Sequence, residues 1–136
     1  ILKPEGVSKD YMPKLILFEG DGSAQMTIQE MSTMIRYKVP MEIFILNNNG
    51  YTIERAIKGP TRSYNDIMPW KWTLLLEAFG DFNGEYTNSE ILETRKQLES
   101  RLQKLKHKPQ KGIELHEVRL GTLDFPSQLS QMVESV

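Results

Sequence analysis

Leu15-Ile16-Leu17-Phe18 and Ile43-Phe44-Ile45-Leu46 are two short, continuous apolar runs, and small polar residues follow each one closely. Runs of this length, bounded by glycine and polar residues, fit strands buried on both faces better than helices. Gly20-Asp21-Gly22-Ser23 ends the first run and Asn47-Asn48-Asn49-Gly50 the second. Between them, Thr27-Ile28-Gln29-Glu30 has the S/T-x-x-E form of a capping box, with Met26 and Met31 at the positions of a hydrophobic staple. Met31, Met34 and Ile35 recur at helical spacing to about Tyr37, and Pro40 closes the element. Strand, helix and strand in so short a stretch make a βαβ unit, whose crossover leaves the strands parallel. Both polar clusters then sit on one sheet edge, the carboxyl edge at which open α/β sheets take ligands.

A helical stretch is predicted within Tyr51 to Ile57. Trp70 and Trp72, beside Pro69, lead into a short helix over residues 73–79 that Gly80 stops. Ile91, Leu92, Leu98, Leu102 and Leu105 mark the apolar side of a long helix from about Ser89 to His107. Ile113 to Leu120 reads as a third strand, although its alternation slips at Glu117-Val118. Asp124 and Pro126 predict a turn, and Leu129, Met132, Val133 and Val136 a final amphipathic helix. Residues 1–13, with Pro4, Gly6 and Pro13, form an irregular entry segment. With no internal repeat or low-complexity tract, the prediction is one α/β domain over residues 1–136, a parallel sheet with helices on both faces.

Composition narrows the function classes. Of 136 residues, 39% are hydrophobic and 26% charged, as in ordinary globular chains. A net charge of -1 offers no field for nucleic acid or anionic membrane. No apolar run approaches the ~20 residues that span a bilayer. The absence of cysteine rules out a disulfide framework and a thiolate metal site, and suits a cytoplasmic setting. The chain starts at Ile1 rather than Met, which predicts a piece of a longer polypeptide.

The two polar clusters carry the candidate chemistry. Asp21 offers a carboxylate, Asn48 an amide oxygen, and the glycine-rich turn a backbone carbonyl. Hard oxygen donors without His or Cys favour Mg²⁺ or Ca²⁺ over zinc. Gly20 and Gly22 let a ligand approach the backbone, and the helix start near Ser23 offers amide N–H groups to a phosphate. Taken singly, G-D-G-S and N-N-N-G are most often ordinary turns. Their pairing at two parallel strand ends points to a Mg²⁺–diphosphate site.

The stretch from Gly20 to Glu54, GDGSAQMTIQEMSTMIRYKVPMEIFILNNNGYTIE, resembles the cofactor-binding motif of thiamine-diphosphate enzymes. It is most similar to the fungal 2-oxo acid decarboxylases acting on pyruvate or phenylpyruvate. The continuation NGYTIERAIKGPTRSYNDIMPWKW carries that branch's G-Y-T-I-E and Y-N-D-I segments, and the likeness runs through LDFP to the last helix. GPTRSYNDIMPWKW and EAFGDF lean toward the phenylpyruvate type.

The resemblance implies thiamine diphosphate and Mg²⁺ as cofactors and a 2-oxo acid as substrate, cleaved to an aldehyde and CO₂. By position it implies that Asp21, Asn48 and the Gly50 carbonyl hold the metal. It places Gly22, Ser23 and Thr52 at the diphosphate, Ile53 at the substrate pocket, and Glu54 as the catalytic acid. From its own neighbours, Glu54 would read only as a solvated helix glutamate. Asn49 stands where relatives commonly carry an acid, and Glu19 where many have an apolar residue.

The resemblance further implies that the chain is the C-terminal part of a diphosphate-binding domain. An N-terminal pyrimidine-binding domain, supplied by the partner subunit of a homodimer or homotetramer, would complete the site. The chain alone is then expected to be inactive. G-Y-T-I-E argues against a carboligating relative such as acetolactate synthase, and a non-catalytic binding or assembly module is the other alternative. The basic stretch Arg95, Lys96, Arg101, Lys104, Lys106, His107, Lys108 and Lys111 reads as a solvated helix face, with Glu93 and Glu99 interspersed. His107 is expected on the surface and His116 in a structural role. Trp70 and Trp72 are expected to pack locally, and Met26, Met31 and Met34 to fill the core.

Overall fold

A computed structural model of the chain describes residues 14–107 and 109–127. Four strands, β1 (Ile16–Gly20), β2 (Met41–Asn47), β3 (Thr87–Leu92) and β4 (Ile113–Arg119), form one wholly parallel sheet in the order β1-β2-β4-β3. β2 is flanked on both sides, Ile43 pairing with Leu17 of β1 and with Leu115 of β4. That position explains its uninterrupted apolar run, since Ile43, Phe44 and Ile45 are all fully buried.

Helices cover both faces. On one, α1 (Asp21–Thr27) and α2 (Glu30–Arg36) bring Ala24, Ile28 and Met31, at helical spacing, onto Met41, Ile43 and Ile45. Trp72, in a 3₁₀ turn, and Leu76, in α4 (Leu75–Ala78), complete this cluster against Ile113 and Leu115. On the other face, α5 (Arg95–His107) sets Leu98 and Leu105 against Phe44, Leu92 and Val118. Phe18 of β1 stacks on Phe44 at 4.8 Å but remains 56% exposed, so this second layer leaves β1 uncovered.

Several local expectations change. Asp21–Thr27 is helix, so the first polar cluster is a strand-to-helix junction rather than a loop. Thr27 therefore ends α1 instead of capping α2, whose N-cap is Gln29 in helical conformation without a side-chain cap. A capping box needs an extended N-cap residue, and here the chain is already helical. Met26 is 78% exposed, so there is no staple and no core role, while Met31 is buried and Met34 packs against the core.

Residues 87–92 are strand rather than the first turns of the long helix. The real helix start is a T-x-x-Q box. Gln97 N donates to Thr94 Oγ1 at 3.2 Å, and Gln97 Oε1 accepts from Thr94 N at 2.9 Å and Glu93 N at 2.8 Å. The slip in β4 arises because Glu117 is buried yet accepts from Asn47 Nδ2 at 2.8 Å and Arg119 Nε at 3.2 Å. The last turn is closed by Asp124 N donating to Gly121 O at 3.0 Å, a few residues before Pro126. Trp70 and Trp72 pack on each other at 5.4 Å. The entry segment, Lys108 and the predicted final helix lie outside the described residues.

Candidate metal centre

The junction after β1 and the loop after β2 meet at the carboxyl edge of the sheet. Asp21, the first residue of α1, is only 2% exposed. Its Oδ1 accepts from Gly22 N and its Oδ2 from Gly50 N, both at 2.9 Å. The carboxylate thus ties the two clusters together across the strand ends. No guanidinium or ammonium pairs with it among the described residues. Burial pushes its carboxyl above the usual range, and the N–H groups of Gly50 and Gly22 offset that only in part.

Asn48 supplies the second group. Its side-chain amide has one terminal atom 3.2 Å from Asp21 Oδ1 and 2.7 Å from the Gly50 carbonyl oxygen, and the other 3.0 Å from Thr52 Oγ1. Which atom faces which way is decided by the neighbours. Turned nitrogen-first to Asp21, the amide is satisfied by hydrogen bonds alone, but its oxygen then needs the Thr52 proton. That proton already goes to the Thr122 carbonyl, at 2.7 Å. Turned oxygen-first, the amide can give its N–H to Thr52 Oγ1, and three oxygens (carboxylate, amide and carbonyl) converge. Oxygens converge in this way around a hard cation, so the residues present fit Mg²⁺ or Ca²⁺. Among the described residues no group of three His, Cys, Asp or Glu side chains could hold a metal, so the candidate rests on one carboxylate with an amide and a backbone carbonyl.

The loop's backbone is unusual for a reason. Asn49 has φ 61° and Gly50 φ 122°. A side chain at Gly50 would collide with the Asn65 carbonyl, and one at Gly22 with the Tyr51 ring.

The remaining expected site residues are arranged around this centre. Gly22 is buried and Ser23 exposed in the first turn of α1, where helix N–H groups lack intrahelical partners. Thr52 opens α3 (Thr52–Lys58) and is buried. Ile53 is exposed, and Glu54 is half-buried with no hydrogen-bond or ion-pair partner among the described residues. Asp21, Asn48, Gly50 and Thr52 are brought into contact, whereas Ile53 and Glu54 share only the adjoining turn.

Four participants were not read from the sequence: Arg55, Asn65, Asp66 and Thr122. Buried Arg55 donates to Asn49 O and to Asp66 Oδ1, each at 2.8 Å, and the Asn65 carbonyl accepts from Tyr51 N at 2.9 Å. The Y-N-D run at 64–66 was the available signal, visible as a motif but without a mechanical role.

Residues 6–113 match the family described as thiamine pyrophosphate enzyme, C-terminal TPP binding domain. The chain is 62% identical over 130 residues to a transaminated amino acid decarboxylase of Saccharomyces cerevisiae, covering 95% of this chain and 20% of that protein. A pyruvate decarboxylase of Aspergillus parasiticus is 42% identical over 125 residues, covering 90% of this chain and 22% of its own length. The chain thus spans about a fifth of these relatives. Among solved structures, a thiamine diphosphate-dependent 4-hydroxybenzoylformate decarboxylase of Rhodococcus jostii superposes with a TM-score of 0.62 at 22% identity. That match covers 79% of this chain and 20% of the other, and shows a shared fold.

Proposed function

This chain belongs to the thiamine pyrophosphate enzymes, within the family of their C-terminal cofactor-binding domain, and we propose that it forms the Mg²⁺–diphosphate end of a 2-oxo acid decarboxylase active site. The observation that carries the reading is the meeting of the buried Asp21 carboxylate, the Asn48 amide and the Gly50 carbonyl at the carboxyl edge, one amide atom lying 3.2 Å from Asp21 Oδ1 and 2.7 Å from Gly50 O. Asp21 and Asn48 would hold Mg²⁺ through side-chain oxygens and Gly50 through its carbonyl, leaving coordination positions for diphosphate oxygens. Ser23, exposed in the first turn of α1, would offer its N–H to the diphosphate, with Gly22 giving close backbone approach and Thr52 beside them.

Thiamine diphosphate, when bound, supplies the electron sink for loss of CO₂ from a 2-oxo acid. Conversion of a 2-oxo acid to an aldehyde and CO₂ exchanges the carboxylate for a proton, so a proton must reach the former keto-acid carbon. Glu54, without a partner among the described residues and one turn from the metal loop, would hold and deliver it, while exposed Ile53 would border the substrate.

An amino-acid-derived 2-oxo acid, aromatic or branched, is favoured over pyruvate. The 62% identity to the yeast transaminated amino acid decarboxylase, against 41–42% to the pyruvate decarboxylases, supports that preference. A pyrimidine-binding domain from a partner subunit, in a homodimer or homotetramer, would complete the site. Cytoplasmic localisation and a part in amino-acid breakdown belong to the same reading.

The test uses the full-length protein carrying this chain. Glu54→Gln should retain the melting temperature and cofactor affinity but lose aldehyde formation by about 10²–10⁴-fold. Unchanged turnover would remove Glu54 from the chemistry. Acetolactate as the product, rather than aldehyde, would overturn the decarboxylase reading.

A further inference from the structure

If the Gly50 carbonyl is a metal ligand, something must aim it. Two peptide planes meet at Gly50, and both are gripped. The Asn49–Gly50 peptide is held at its oxygen by Arg55 Nη2 at 2.8 Å and at its N–H by Asp21 Oδ2 at 2.9 Å. The Gly50–Tyr51 peptide gives its N–H to the Asn65 carbonyl at 2.9 Å. In a trans peptide the carbonyl points opposite the N–H, so the Gly50 oxygen faces away from Asn65 and toward Asn48, 2.7 Å off.

Arg55 is built into this arrangement. It is 4% exposed, and its Nη2 serves both Asn49 O and Asp66 Oδ1, while its buried Nη1 has no hydrogen-bond partner among the described residues. Asp66 offsets the positive charge that the brace places near the cation site. Asn65 is fully buried, and its Nδ2 reaches Gly59 O at 3.3 Å, anchoring the segment behind the loop.

We propose that Arg55, backed by Asp66, is a positioning residue for the Mg²⁺ site: it fixes the Asn49–Gly50 peptide so that the Gly50 carbonyl faces the cation. The proposal rests on the assignment of Asp21, Asn48 and Gly50 to the metal. Two rival roles predict other results. A purely structural Arg55 would affect stability alone. An Arg55 acting only by its charge would repel Mg²⁺, so its removal would tighten metal binding.

The experiment titrates Mg²⁺ into the full-length, metal-free protein at fixed thiamine diphosphate. Bound cofactor is read by calorimetry, and melting temperatures of the metal-free protein are taken in parallel. Arg55→Met should raise the half-saturating Mg²⁺ concentration about 10–100-fold, the cost typical of losing a group that orients a ligand. Arg55→Lys should recover part of this, since one ammonium can reach the carbonyl but lacks the guanidinium fork. Asp66→Asn, at a side chain 70% exposed, should weaken Mg²⁺ binding less, without moving the metal-free melting temperature. Leu105→Ala, on the opposite face, should lower that temperature and leave the Mg²⁺ titration unchanged.

Unchanged or tighter Mg²⁺ binding in Arg55→Met overturns the proposal. Should that variant not fold, an unchanged titration for Asp66→Asn does so. Cofactor binding that is independent of Mg²⁺ in the unsubstituted protein, or insensitive to Asp21→Asn, overturns the metal assignment instead.

Discussion

Two buried carboxylates in this molecule have opposite fates. Glu42, on the α5 face, is closed in by Arg101 and His116. Arg101 Nη2 donates to its two oxygens at 3.0 and 2.8 Å, and His116 Nε2 lies 2.7 Å from Oε2. Arg101 also reaches Glu114 at 3.1 Å, and Glu90 Oε1 lies 3.0 Å from His116 Nδ1 without hydrogen-bond alignment. Burial raises the Glu42 carboxyl, but the bonds from His116 and Arg101 outweigh it and hold the group below the usual range. Asp21 has backbone N–H donors and, among the described residues, no cationic partner, and burial carries its carboxyl upward. A polar cluster whose buried carboxylate is bonded by a guanidinium and an imidazole is part of the framework. One that gathers oxygens around an unbalanced carboxylate is open to a cation.

The contrast can be broken from either side, and removing Asp21 should do so most severely. Asp21→Ala in the full-length protein should lose Mg²⁺-dependent cofactor binding by more than the roughly 10–100-fold that outer-shell changes cost. A calorimetric titration reads this, and the metal-free melting temperature should stay within a few degrees.

Arg101→Met should do the reverse. Leaving Glu42 buried and short of its strongest partner should cost about 3 kcal/mol in urea unfolding, the low end for a broken buried pair, because Arg101 retains some exposure. Mg²⁺ affinity should not move. Because the Glu42 pKa is depressed in the folded state, its stabilisation is present above the ordinary carboxylate range and is lost as pH falls through the folded value. Acid unfolding profiles should therefore be shallower in Arg101→Met than in the unsubstituted protein.

Thr94→Ala sets the smallest scale. It removes the hydroxyl end of the box that opens α5 and should cost about 1 kcal/mol, without touching either carboxylate cluster.

How much of this could be read beforehand follows from the range of the forces involved. The apolar runs at 15–18 and 43–46, with polar clusters behind them, identified parallel strands and a shared edge, because strand burial and chain direction are written locally. The helix at Asp21–Thr27 was legible only as a helix start near Ser23 and not as a separate element, because it is short and its apolar face, Ala24 to Ile28 to Met31, continues across the turn into the next helix. The S/T-x-x-E run at 27–30 was a false cap inside that continuity. The true box, Thr94 with Gln97, went unread because Ile91 and Leu92 extended the helical pattern backward into a strand. In the site, Asp21, Asn48 and Gly50 were legible as oxygen donors beside glycines. Arg55, Asp66 and Thr122 were not, because their roles depend on which backbone groups the folded loops present to them. Glu54 came only from resemblance, since nothing in its immediate sequence separates it from a surface glutamate.

The most direct check is a crystal structure of the full-length protein with thiamine diphosphate and Mg²⁺. It should show the metal about 2.0–2.1 Å from oxygens of Asp21, Asn48 and Gly50, with the Asn48 nitrogen turned to Thr52. A metal bound elsewhere, or a cofactor-loaded site in which the Asn48 nitrogen still faces Asp21, would contradict the assignment.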